Sequence, residues 1–164
     1  MAMPTDIGII DLGIGFPFQS VEEKMATYDF FRPLLKDEQS RKEFEFPAQY
    51  MFKDVPDIVG PDVDPVQWTV AKMDEFGIEK GKIGLSPIGI RAKQEYPDRF
   101  YLSMSVNPHE GVDALRKMEA AKAEHDIVAV QVFPCGLVPQ LAIDDKRLYP
   151  IYMKCVELDI PICI

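Results

Sequence analysis

The chain has 164 residues, 47% of them hydrophobic and 27% charged, with a formal net charge of −9 at pH 7. Those proportions exclude a disordered chain, and the length suits one domain or part of a larger one. The acidic balance repels phosphate backbones, so no nucleic-acid partner is expected, and nothing basic and amphipathic suits a membrane surface.

The opening residues "MAMPTDIGII" lack a basic segment leading into a long apolar run, so no signal peptide is expected. No apolar stretch approaches the roughly 20 residues of a membrane-spanning helix. A cytoplasmic location follows as the expectation. "IGIIDL" (Ile7–Leu12) reads as a buried strand. Ser20, three residues before Glu23, forms a capping-box pattern, and Val21, Met25 and Tyr28 follow at helical spacing. Pro33 is expected to end or kink that helix. Residues 34–61, with "FEFPAQYMFKDVPDIVG", read as a long excursion between core elements, and loops of that length are often functional.

Order returns at "DPVQWTVAKMDEFGI". Asp64 is an N-cap, Pro65 fits the first helical position, Val66, Val70 and Met73 share a face, and Gly77 stops the helix. "GKIGLS" (Gly81–Ser86) reads as the second strand, Ile90–Tyr96 as a short helix, and "RFYLSMSV" (Arg99–Val106) as the third strand. Pro108 opens a helix with Val112, Leu115 and Met118 on one side. "IVAVQVF" (Ile127–Phe133) is the fourth strand. A helix follows with Leu148, Ile151, Tyr152, Cys155 and Leu158 at 3.6-residue spacing, and "IPICI" is the fifth strand.

The alternation of strand and helix implies an α/β fold with parallel strands and right-handed crossovers. Continuously apolar strands imply burial on both faces. An open doubly wound sheet and part of a (β/α)8 barrel both satisfy the pattern. Cys135, Cys155 and Cys163 contain no C-x-x-C pair. They are expected to be free thiols, with Cys155 and Cys163 buried, and not to build a metal site.

Gly13 and Gly15 follow the first strand. A dinucleotide fingerprint would need a third glycine where Phe18 stands, and an acidic strand end about 20 residues on, which is missing. A nucleotide-binding doubly wound domain is therefore the weaker alternative.

"YPDRF", "SVNP", "VAVQVFP" and "DDKRLYPIYMKCVELDIPICI", with the earlier "MDEFGIEKGKIGL", resemble the amidohydrolase-related family of metal-dependent TIM-barrel hydrolases and decarboxylases. The resemblance covers most of the chain outside roughly residues 30–60. It implies a (β/α)8 TIM-barrel type fold of which residues 1–164 form about the first five βα units as a single partial domain. It also implies hydrolysis, or non-oxidative decarboxylation, of a small carboxylated or aromatic substrate. The family's first strand usually ends in D-x-H-x-H, whose histidines bind a divalent metal such as zinc. Here Asp11 is kept, while Gly13 and Gly15 stand at the histidine positions and have no donor atom. Other family ligands would fall beyond Ile164. No metal is therefore expected in this chain, and the chain alone is expected to be inactive. His109 and His125 are read as structural.

Barrel chemistry lies at the C-terminal ends of strands. That logic selects Gly13, Gly15, Phe16, Asn107 and Phe133 as a substrate pocket, with Phe18, Tyr50 or Phe52 adding aromatic surface. Asp11 is the one acid at a strand end and the candidate general base. A non-catalytic binding or assembly module of the same fold remains an alternative. The barrel reading predicts strand order 1-2-3-4-5 and apolar free edges on the first and fifth strands, hence a homo-oligomer.

Overall fold

A computed structural model of the chain describes residues 7–42 and 58–164. Most of the expected excursion, residues 43–57 with Tyr50 and Phe52, lies outside the described residues. The chain forms two compact units, residues 16–70 and residues 1–15 with 71–164.

The larger unit holds the five strands of the described residues: β1 (Ile9–Asp11), β2 (Ile78–Gly84), β3 (Phe100–Ser105), β4 (Ala129–Gln131) and β5 (Ile162–Cys163). They form one sheet in the order β1-β2-β3-β4-β5, and every neighbouring pair is parallel. This is the five-strand arc of a partial TIM barrel. A doubly wound sheet would place β1 centrally. Among the described residues β1 pairs only with β2 and lies at the edge, so the doubly wound nucleotide-binding reading is set aside.

The strands differ from the apolar runs that announced them. β1, β4 and β5 are shorter than Ile7–Leu12, Ile127–Phe133 and Ile160–Ile164, because a ladder extends only as far as a partner strand does. β2 begins three residues earlier than Gly81. Its start is bound by Arg99, whose Nε donates to the Glu79 carbonyl at 2.9 Å and whose Nη2 donates to the Ile78 carbonyl at 3.0 Å. Arg99 also pairs with Asp74 at 2.8 Å.

Helices α4 (Pro87–Glu95) and α5 (Val112–His125) pack against β3, and α5 packs against α6 (Tyr149–Glu157). Ser86 caps α4, its Oγ accepting from Gly89 N at 3.2 Å, so this helix starts three residues before the expected Ile90. Pro108 opens a short 3-10 turn rather than the helix itself. Gly111, at φ +60°, makes the break, and α5 starts at Val112. A side chain at that φ would be strained. The buried face of α5 is Ala114, Met118 and Ala121, not Val112, Leu115 and Met118, and Val112 is exposed. In α6 the expected stripe holds, with Leu148 just before the helix and Ile151 and Cys155 within it all buried.

One face of the sheet carries Ile83, Phe100, Leu102, Val130 and Val132, all buried. The other face changes along the strands. Lys82 and Ser103 are buried, while Gly84, Ser105 and Gln131, nearer the C-terminal ends, are exposed. Burial on both faces, expected from the apolar runs, therefore fails at the C-terminal ends and at Ile10 on β1, which is exposed. Cys155 is buried, Cys163 only half-buried and Cys135 exposed, which corrects the expected burial of Cys163; all three are free thiols.

In the smaller unit, α1 (Val21–Tyr28) is capped by Ser20, whose Oγ accepts from Glu23 N at 3.1 Å. Glu23 returns a bond to Gln19 N, one residue earlier than a strict capping box, at 2.7 Å. Pro33 sits inside a 3-10 segment (Asp29–Leu34) after α1 has ended, and α2 (Glu38–Lys42) follows. α3 (Pro65–Glu75) crosses the boundary between the units. Asp64 Oδ1 accepts from Val66 N at 2.8 Å, and Val66, Val70 and Met73 are buried. Gly77, at φ +68°, follows its end.

Candidate functional site

Because the five strands are parallel, their C-terminal ends lie on one rim of the sheet. The rim carries Asp11, Gly13 and Gly15 after β1, Ser86 after β2, Asn107 after β3 and Phe133 after β4. Phe16, from the same expected pocket, belongs to the smaller unit and is half-buried.

Asp11 is half-buried, and its Oδ1 accepts from Gly13 N at 2.8 Å. A carboxylate that bonds a backbone N–H two residues on holds a turn. Its Oδ2 makes no hydrogen bond among the described residues. Gly13 and Gly15 are exposed, and nothing lies within 4 Å of where a Cβ on either would sit. Glycine is thus not forced at either position by packing.

Asn107 Oδ1 accepts from His109 N at 3.1 Å, and this bond starts the turn after β3. His109 Nε2 lies 2.8 Å from the Pro139 carbonyl in the next rim loop. Phe133 is 47% exposed at the end of β4. Its ring occupies the space that a Cβ at Gly136 would need. In the same loop Arg147 donates to both carboxylate oxygens of Asp145, at 2.8 and 2.7 Å. These bonds hold the Asp145 carboxyl below the usual range.

The described residues do not fit a catalytic metal. Such a centre needs about three protein donors and an open position. Among the described residues no three His, Cys, Asp or Glu side chains converge. His109 is tied to Pro139, and His125 ends α5 beside Glu124.

Sequence reasoning missed one group. Lys82 and Ser103, on adjacent strands below the rim, are both buried and bonded to each other at 3.5 Å. A lysine inside the apolar run "KIGL" was the available signal. Further from the rim on the same face, Lys80 reaches the Tyr101 hydroxyl at 3.4 Å. That hydrogen bond raises the Lys80 pKa.

No family model matches the sequence, and no curated protein matches it. Solved structures do. A 5-carboxyvanillate decarboxylase from Novosphingobium aromaticivorans, with bound manganese and 3-methoxy-4-hydroxy-5-nitrobenzoic acid, is 18% identical. It matches over 99% of this chain and 52% of its own length, with a TM-score of 0.59. The 4-oxalomesaconate hydratase from Rhodopseudomonas palustris is 21% identical over 94% of this chain and 51% of its own, with a TM-score of 0.57. A dihydroxybenzoic acid decarboxylase from Polaromonas, with bound manganese and 2-nitroresorcinol, is 17% identical over 94% and 48%, with a TM-score of 0.54. These likenesses establish the fold. The chain spans about half the length of the structures it matches.

Proposed function

We propose that the chain is the N-terminal part of an amidohydrolase-related barrel protein that acts on a small aromatic carboxylate by decarboxylation or hydrolysis. The observation that carries this reading is the run of five parallel strands in barrel order, matched almost end to end by decarboxylases and a hydratase about twice as long. Residues 1–164 count in this reading as one barrel-type domain, with the segment between β1 and β2 as an elaborated connection.

Gly13, Gly15, Phe16, Asn107 and Phe133 are the proposed pocket, and Asp11 Oδ2 is the proposed proton acceptor. The metal-dependent members of the family bind a divalent ion that activates water or polarises the substrate. Gly13 and Gly15, which the resemblance sets at two ligand positions, offer no side-chain donor to that ion, and in this reading the chain alone is inactive. The net charge of −9 supports the absence of nucleic-acid and anionic-membrane partners. No helix among the described residues is long and apolar enough to cross a membrane. Three free thiols support a cytoplasmic location.

The test pairs this chain with a polypeptide supplying three further βα units, fused or co-expressed, and follows CO2 release from 2,6-dihydroxybenzoate with and without manganese. The expected result is substrate binding without release by the chain alone, and release by the completed barrel that does not depend on manganese. Absence of turnover by the completed barrel, with binding retained, would favour the second reading: a binding module of the same fold. The lack of any side-chain donor at Gly13 and Gly15, at the end of β1, favours it. Absence of binding by either form would remove the substrate class.

A further inference from the structure

On the face of the sheet that carries Lys82, this buried lysine has no counter-ion among the described residues. Lys82 is 8% exposed. Its ammonium has three N–H donors, and its one partner among the described residues is Ser103 Oγ, at 3.5 Å. That is at the long limit for a hydrogen bond. Ser103 in turn donates its own proton to the Ile83 carbonyl at 3.1 Å, which leaves its lone pairs for acceptance only. No carboxylate among the described residues pairs with Lys82. Buried ammonium groups are otherwise found paired, because burial removes water without replacing it.

The surroundings give the charge a direction. Gly84, not Lys82, is the Cα partner of Ser103 in the β2–β3 ladder. The lysine stem therefore runs one pleat toward the rim, alongside a residue with no side chain. By strand alternation a Cβ on Gly84 would project on the same face, and nothing lies within 4 Å of that position. Gly84 and Ser105, the next position up this face of β3, are exposed. A cation thus lies beneath an opening bordered by the smallest side chains on this face of the two strands: Gly84, Ser103 and Ser105.

We propose that Lys82, with Ser103 beside it, is an anion-binding site that takes the carboxylate of a small planar ligand entering from the rim over Gly84. Among the described residues the Lys82 ammonium shares its hydrogen bond with no arginine, and Lys80 on the same face is turned to the Tyr101 hydroxyl, so the site matches a monoanion rather than a phosphate. The gap at Gly84 suits a flat group lying against the strands. The choice of an aromatic ligand rests on the function proposed above. The need for an anion rests on Lys82 alone.

The experiment is a calorimetric titration of benzoate, with benzamide as the uncharged control, into the full chain and into Lys82→Met and Gly84→Leu. Each protein is also melted without ligand. The full chain is expected to bind benzoate and not benzamide. Lys82→Met is expected to weaken benzoate by about tenfold or more, equivalent to about 1.4 kcal/mol. It should also melt higher without ligand, because an apolar chain of similar volume replaces an unpaired buried charge. Gly84→Leu is expected to block benzoate while melting like the parent.

No benzoate binding by the parent, or equal binding by Lys82→Met, would overturn the proposal. So would a lower melting point for Lys82→Met together with normal binding by Gly84→Leu, which would make the lysine structural. A change in sedimentation on Lys82→Met, without any effect of benzoate, would also overturn it by assigning the anion to another polypeptide. If Lys82→Met still binds 2,6-dihydroxybenzoate, this site fails and the function stands. If benzoate binds through Lys82 and the completed barrel releases no CO2, the function fails and the site stands.

Discussion

His109 Nε2 sits 2.8 Å from the carbonyl oxygen of Pro139, joining the loop after β3 to the loop after β4 across 30 residues of sequence. A carbonyl only accepts, so the ring carries its proton on Nε2 to make this bond. The two loops border the rim on which Asn107 and Phe133 stand. His109→Ala removes the tie and leaves the Asn107 turn, which uses the His109 backbone N–H, in place. The expected loss is about 0.5–1.5 kcal/mol, toward the low end because the bond is exposed. A urea midpoint unchanged by His109→Ala would show that the tie contributes nothing.

Gly89 lies in the first turn of α4, where an added Cβ would collide with the Gly84 backbone carbonyl. Backbone cannot rotate aside as a side-chain tip does. Gly89→Ala is expected to destabilise by about 1–3 kcal/mol, since it forces α4 off the end of β2. Thermal melting measures it, and a neutral result would mean that α4 shifts freely.

Gly13 and Gly15 predict the opposite. Neither has a positive φ in the strained range, and neither faces a neighbour within 4 Å. Gly13→Ala and Gly15→Ala are expected to be neutral or to stabilise by up to about 1 kcal/mol, by restricting the unfolded chain. The parent chain is expected to retain no stoichiometric divalent ion after dialysis. Elemental analysis finding about one manganese or zinc per chain would contradict the reading of these glycines as donor-free positions.

Asp145 gives a pH dependence. Its hydrogen bonds with the Arg147 side chain and then the Arg147 backbone N–H hold its folded pKa below the unfolded value. A group depressed in the folded state contributes stability that is complete above its unfolded pKa, about 3.9, and is lost as pH falls through and below it. The β4–α6 loop is therefore expected to loosen in acid, below about pH 4, and not near neutrality. Carboxyl NMR of Asp145 tests this directly: an ordinary titration midpoint would remove the effect, and Asp145→Asn should abolish it.

The free edges of the arc predict association. Among the described residues β1 has no partner besides β2, and β5 none besides β4. Ile10 and Leu12 are exposed beside one edge, and Ile164 beside the other. On α6, Tyr149, Met153 and Val156 repeat at helical spacing and are exposed as well. Apolar free edges recruit further strands. The isolated chain is expected to self-associate at micromolar concentration, and Ile10→Lys is expected to reduce this. A stable, cooperatively melting monomer in sedimentation would reject it.

The sequence by itself determined the kind and number of the strands of the larger unit and their succession along the chain, because those signals are local. Apolar runs, Ser20 and Asp64 as caps, Gly77 as a stop, and the stripe through Ile151 and Cys155 each act within a few residues. The alternation of strand and helix also implied parallel strands, and so placed Asp11, Asn107 and Phe133 at one end of the sheet. Tertiary structure alone decided what depends on pairing at a distance. It set the true lengths of β1 and β4, the face of α5 that is buried, and the bond from His109 to Pro139. It also decided that Lys82 lies beside Ser103, one pleat below Gly84. The reason is physical: strand register couples residues about 20 positions apart, and neither composition nor periodicity encodes which side chain a given pleat will meet.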